Sequence, residues 1–160
     1  MEIERKWLLK RVPATPADAK YFVEQFYLSL DPEVRLRRAV PNGDYPSKAP
    51  YRIAIKGNGT LSREEIQCEV SEDFYNRARD FVNLQTIEKH YLEYNVNGSE
   101  VGVAVVLTNP GFIYAEVEFE TEEEAMAYQF PWPDIVEKEI TDDLSYKMKN
   151  VWRRIYMPIV

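Results

Sequence analysis

Glu2, Glu4 and Lys6 stand at alternate positions, as do Arg35 and Arg37, Arg52 and Lys56 two steps apart, and Arg63, Glu65, Gln67 and Glu69. The series continues with Tyr114, Glu116, Glu118 and Glu120, then with Glu137, Glu139 and Thr141. In an extended chain, residues two apart share a face. Each run therefore collects charge on one side, opposite Ile3 and Trp7, Val34 and Leu36, Ile53 and Ile55, Ile66 and Cys68, or Ala115 and Val117. Rows of carboxylates suit hard cations such as Mg²⁺, Mn²⁺ or Ca²⁺. Rows of arginine offer paired N–H forks to phosphate oxygens.

A solvated strand face normally mixes signs, because like charges on neighbouring positions repel. Segregation on this scale points to a site. If about eight strands close into a barrel with helices outside, the charged faces line an interior wide enough for a small ligand. Charges cannot be left unpaired at low dielectric. The glutamates would then meet metal ions, and Lys6, Arg35, Arg37, Arg52, Lys56, Arg63 and Lys89 would face a polyanion. A metal-loaded triphosphate satisfies both sets.

The elements that must position these residues are mostly strands. Period-two alternation predicts them at 2–9, 23–29, 33–40, 50–57, 62–70, 87–96, 99–107, 112–120 and 136–141. Turn chemistry lies in PNGDYP, GNG, NVNGS and TNPG, which implies antiparallel hairpins. Helices are expected at 16–21, 71–84, 121–130 and 142–157. Ser71, Thr121 and Asp142–Asp143 supply caps and first-turn acids for the last three. The fold class expected is α+β, a closed antiparallel β-barrel with helices packed outside, in a single domain over residues 1–160. Leu144, Met148, Val151, Trp152 and Ile155 form one side of the last helix, expected to pack against the sheet.

The net charge of -7 argues against a general nucleic-acid grip, which needs a surplus of Lys and Arg. Cys68 is the only cysteine, so neither an internal disulfide nor a zinc site of the usual type is available. MEIERKWLLK is too charged for a signal peptide, and no apolar run reaches the roughly 18 residues of a membrane span. A cytoplasmic protein is expected, with no membrane partner. His90 and Cys68 fall on the outer face, His90 for packing or surface and Cys68 as a small core hydrophobe. Glu120 and Glu137 fall at strand ends and are expected to be exposed, and Trp7, Trp132 and Trp152 suit outer packing or the interface of a homodimer.

EIERKWL, QFYL, EVRLRR, RIAIKG, SREEIQCEV, IEK, YAEVEFE and KEITDD occur in an order and at spacings that resemble the CYTH superfamily, the triphosphate tunnel metalloenzymes. That group includes inorganic triphosphatases, thiamine triphosphatases, class IV adenylyl cyclases and fungal RNA triphosphatases. The resemblance spans nearly the whole chain. It implies that Glu2, Glu4, Glu116 and Glu118 serve metal sites, joined by Glu65, Glu69 and Glu139. It implies further that Lys6, Arg35, Arg37, Lys56, Arg63 and Lys89 hold phosphates.

Four departures accompany it. Tyr91 stands where a second basic residue often follows I-E-K, and Gln67 where glutamate is frequent. EVGVAVV, around Val103, replaces a common W-E-x-D, and Ser145 replaces the arginine of TDDxRY. Tyr91 could donate to a phosphate or simply fill the arginine's place. The expected activity is Mg²⁺- or Mn²⁺-dependent hydrolysis of a triphosphate, inorganic or of a nucleoside or other organic group, with Glu2, Glu4 and Lys6 at its centre and a small-molecule triphosphate or polyphosphate as the expected partner. One ion would bridge phosphate oxygens and another activate the attacking water. Rival expectations are a nucleotide cyclase and a polyphosphate-binding module without turnover.

Overall fold

The computed structural model describes residues 1–43 and 50–157. The second half of the turn expected in PNGDYP, from Asp44, lies outside the described residues. In chain order the elements are β1 (Glu2–Leu9), β2 (Ala19–Leu30), β3 (Glu33–Pro41), β4 (Tyr51–Lys56), β5 (Ser62–Arg63), β6 (Glu65–Glu69) and α1 (Glu72–Phe81). They continue with β7 (Ile87–Val96), β8 (Ser99–Val106), β9 (Phe112–Glu118), α2 (Glu122–Ala127), β10 (Val136–Glu139) and α3 (Met148–Tyr156).

All strands join one antiparallel sheet in the order β10-β1-β9-β8-β7-β2-β3-β4-β6, and β5 returns to pair with β1. The sheet is thereby almost closed into a barrel. Its seam is made where the chain bends at Glu64: Arg63 pairs with Glu2 on β1, while Glu65 pairs with Lys56 on β4. β10 takes the rest of the same β1 edge, with Glu139 opposite Trp7. The tight β7–β8 hairpin turns on Asn97 and Gly98, both at positive φ (53° and 82°), the primed geometry that matches strand twist.

Among the described residues, three apolar clusters hold the barrel. α1 covers the outer side of β2 and β3, where Tyr75 and Ala78 meet Phe26 and Leu36. Its start is fixed by Ser71, whose side chain accepts from the Phe74 N–H. The aromatic segment after α2, with Tyr128, Phe130 and Trp132, lies on Trp7, Val101, Val103, Ala115 and Val117. α3 behaves differently. Its Met148, Val151 and Trp152 join Leu8, Tyr27, Ala104, Val106 and Tyr114. Tyr27 and Tyr114 also line the lumen, so α3 lies across one end of the barrel and plugs it.

Several expected boundaries change. No helix forms over 16–21, because β2 already begins at Ala19, opposite Glu93. A six-residue helix has too few internal hydrogen bonds to compete with a strand paired on both edges. The strand expected over 62–70 is split at Glu64 by the seam. Asp143 caps a short 3₁₀ turn, Leu144–Tyr146, so the last helix starts only at Met148. α2 stops at Ala127, ahead of the prolines that flank Trp132. Cys68 is exposed rather than a core residue, as is its neighbour on the same face of β6, Ile66. Among the described residues, no helix is long and apolar enough to cross a membrane.

Candidate functional site

Strand alternation turns Glu2, Glu4 and Lys6 of β1 into the barrel together with Arg35 and Arg37 of β3, Arg52 and Lys56 of β4, Arg63, Glu65, Lys89, Glu116 and Glu118. They surround a cavity of about 710 Å³. This lies within the usual range for small-molecule sites, about 300–1,000 Å³.

One wall is neutralised by its own ion pairs. Lys56 Nζ lies 3.0 Å from carboxylate oxygens of both Glu2 and Glu65. Arg63 Nε donates to Glu2 at 2.9 Å, and its Nη1 donates to Glu33 at 3.3 Å. Burial opposes the charge on Glu2, but Lys56, a hydrogen bond with Glu65 and Arg63 together hold its carboxyl well below the usual range.

Beside that wall, Glu2, Glu4 and Glu118 bring carboxylate oxygens within 4.8 Å of one another. Lys6 Nζ, 3.2 Å from Glu4 and 3.9 Å from Glu116, offsets part of their charge. The compensation is incomplete. Glu118 is pushed up to about 7 by desolvation and then by Glu4, Glu116, Glu2 and Glu65. Glu4 is also raised, by burial and by Glu116 and Glu2, against the pull of Lys6. Three oxygen donors with surplus negative charge fit a hard divalent cation. Neither His90 nor Cys68 lines the cavity.

The opposite wall has tyrosines where the first has carboxylates. Lys89 Nζ donates to Tyr114 Oη at 2.7 Å. The Arg37 guanidinium lies 5.6 Å from the centre of the Tyr91 ring. Among the described residues, Arg35, Arg37 and Lys89 have no carboxylate within ion-pair distance. The buried Nε groups of Arg35 and Arg37 have no hydrogen-bond partner among the described residues. Burial, with Arg37, Arg35 and Lys6 adding to it, drives the Lys89 ammonium well below its ordinary range, against the pull of Glu116. Burial and Arg35 likewise lower Arg37. Burial, then Glu116, keep the Tyr91 and Tyr114 hydroxyls neutral. These cations lack the anion that their setting calls for.

No protein-family model matches the sequence, and no curated protein matches it. Among solved structures, the inorganic triphosphatase NE1496 superposes with a TM-score of 0.61 at 25% identity, over 94% of this chain and 93% of that one. The chain has the tunnel fold of the CYTH superfamily. PH1819 from Pyrococcus horikoshii OT3 has the same fold at TM-score 0.53 and 18% identity, over 78% of this chain and 81% of that one. PH1012 from the same organism does so at TM-score 0.53 and 21% identity, over 79% and 84%.

Within this CYTH tunnel, two residues expected at the metal sites lie elsewhere. Glu139 is opposite the outward-facing Trp7 and pairs with Arg5 outside the barrel. Glu69 is opposite Arg52 at the end of β6, exposed and off the cavity lining. Glu120, exposed as expected, nonetheless lines the cavity. Glu33 was missed, although it shares parity with Arg35 and Arg37 and lines the cavity, buried. Lys147 was missed as well; it enters from the loop before α3, where no periodicity announces it, and its ammonium contacts the Gly59 carbonyl.

The departures are also relocated. Val103 is fully buried in the outer core, so the inward residue of that stretch is Gly102. Ser145 is outside the cavity and donates to Asp143 at 2.6 Å. Gln67 and Tyr91 do line the lumen.

Proposed function

We propose that the tunnel hydrolyses a triphosphate with the help of Mg²⁺ or Mn²⁺, with inorganic triphosphate as the favoured substrate. The observation that carries this reading is the set of three cations without carboxylate partners, Arg35, Arg37 and Lys89, in the same cavity as the Glu2–Glu4–Glu118 cluster. The similarity to NE1496, an inorganic triphosphatase, supports it.

Glu2, Glu4 and Glu118 would hold the divalent ion, which when bound supplies charge neutralisation and activation of water. Arg35 and Arg37 would bind phosphate oxygens through their guanidinium groups, and Lys89 through its ammonium. Lys6, between Glu4 and Glu116, stands where the acidic and basic groups meet and would stabilise charge on the transferred phosphoryl group. α3 closes one end, which keeps bulk water from the basic wall. Glu93, Glu100, Glu120 and Glu124 also line the cavity, and their charge opposes a longer polyanion.

A binding module without turnover is the second reading, favoured by the neutral Tyr91 and Gly102 in place of charged lining. Phosphate release from inorganic triphosphate, ATP and thiamine triphosphate, with Mg²⁺ or Mn²⁺ and with chelator, separates the two. Chelator-sensitive release, greatest for inorganic triphosphate, is the expected result. A melting temperature raised by triphosphate with no release from any of the three would replace the enzyme with the binding module.

A further inference from the structure

Tyr91 belongs to β7, and its hydroxyl donates to Glu116 Oε1 on β9 at 3.0 Å. β8 lies between those strands. The ring therefore crosses β8, and it does so over Gly102, which pairs with Glu116 on one side and Glu93 on the other. A Cβ on Gly102 would stand 1.9 Å from the Tyr91 hydroxyl oxygen and 2.4 Å from the ring carbon that bears it. No side chain fits at 102 while Tyr91 keeps this place.

The other face of the arrangement is Arg37, whose guanidinium lies 5.6 Å from the Tyr91 ring centre. Glu116 is near enough to favour the Arg37 charge, yet the two are not within ion-pair distance. One Glu116 oxygen takes the Tyr91 hydrogen bond and the other faces Lys6 at 3.9 Å. A buried guanidinium and a buried carboxylate in a common cavity attract strongly. A neutral ring separates them here.

We propose that Tyr91, seated on Gly102, is a positioning residue that keeps Arg37 available to phosphate by standing between it and Glu116. The role rests on the reading of the tunnel as a triphosphate site. It acts through Arg37, not through contact with the reacting atoms. Replacing Tyr91 by an aliphatic side chain lets Arg37 and Glu116 pair, and a phosphate must then compete with a carboxylate for the same guanidinium.

The test is a double-mutant cycle read as the Kd of tripolyphosphate, measured by calorimetry in chelator so that no metal ion contributes. Tyr91→Leu is expected to weaken binding about tenfold, the value of one charge-assisted hydrogen bond. Glu116→Gln removes the competing charge, so the Tyr91→Leu/Glu116→Gln double variant returns to within about threefold of Glu116→Gln alone. Tyr91→Phe keeps the ring and is expected to stay within about threefold of the wild type. Tyr91→Met through the same cycle carries the same expectation as Tyr91→Leu, so a folding defect in one variant does not decide the outcome. If wild type binds and Tyr91→Leu binds equally well, or loses the same factor in the Glu116→Gln background, the role assigned to Tyr91 is wrong. A wild-type chain that takes up no tripolyphosphate contradicts the phosphate reading itself.

Discussion

The two walls of the tunnel solve the problem of buried charge in opposite ways. On one, Lys56 and Arg63 are neutralised by Glu2, Glu33 and Glu65 at 2.9 to 3.3 Å. On the other, Lys89 donates to Tyr114 and Arg37 lies over the Tyr91 ring, neutral partners that leave the charge uncancelled, while the Nε groups of Arg35 and Arg37 have no partner among the described residues. The first wall is complete as it stands. The second is complete only with an anion. Positive charge in the lining is therefore a poor guide to where phosphate binds. The informative quantity is the positive charge left after internal pairing.

The largest effect is expected at the acidic cluster beside the paired wall. Glu4→Gln deletes a ligand of the acidic cluster and is expected to weaken Mn²⁺ binding at least about a hundredfold, as followed by electron paramagnetic resonance of free Mn²⁺. Next comes Arg37→Ala, expected to lower phosphate release on the order of 10²-fold while leaving the melting temperature nearly unchanged. Arg63→Ala should do the reverse. It leaves Glu2 buried without its guanidinium and is expected to cost about 3 kcal/mol in chemical denaturation. Equal stability losses from Arg37→Ala and Arg63→Ala would erase the distinction between the walls.

A smaller effect follows from Glu118. Its folded carboxyl titrates at about 7 against an ordinary 4.5. The folded chain thus binds more protons than the unfolded chain in that interval, and stability falls as pH rises through it. The melting temperature in chelator is expected to drop between about pH 5 and pH 8, with a shallower drop in Glu118→Gln. Parallel pH profiles for the two chains would count against the crowding of carboxylates. Smallest of all, Glu139→Gln should leave phosphate release unchanged and stability within about 1 kcal/mol, since its pair with Arg5 lies outside the tunnel.

Much of this was legible in the sequence because strand parity is a property of local spacing. Glu2, Glu4, Lys6, Arg35, Arg37, Lys56, Arg63, Lys89, Glu116 and Glu118 were assigned to one interior from alternation and the family resemblance, and all line the cavity. Parity says which face a residue takes only once a neighbour's register is known. Glu139 fails on that count, since pairing with Trp7 turns it outward. Glu69 has the parity of Glu65 but lies at the end of its strand, off the lining. Glu33 is readable by the same rule, since it shares the parity of Arg35 and Arg37. The Tyr91–Gly102 crossing was not readable, because it depends on three strands in register.

The central claim is that phosphate binds to Arg35, Arg37 and Lys89 themselves, apart from the Glu2–Glu4–Glu118 cluster. Calorimetric titration of the wild-type chain with tripolyphosphate in chelator, followed by addition of Mn²⁺ to the same sample and assay of released phosphate, tests it in one experiment. Binding without metal, and release only after Mn²⁺ is added, is the expected result. No binding until Mn²⁺ is present would place phosphate on the metal rather than on Arg35, Arg37 and Lys89, and would contradict it.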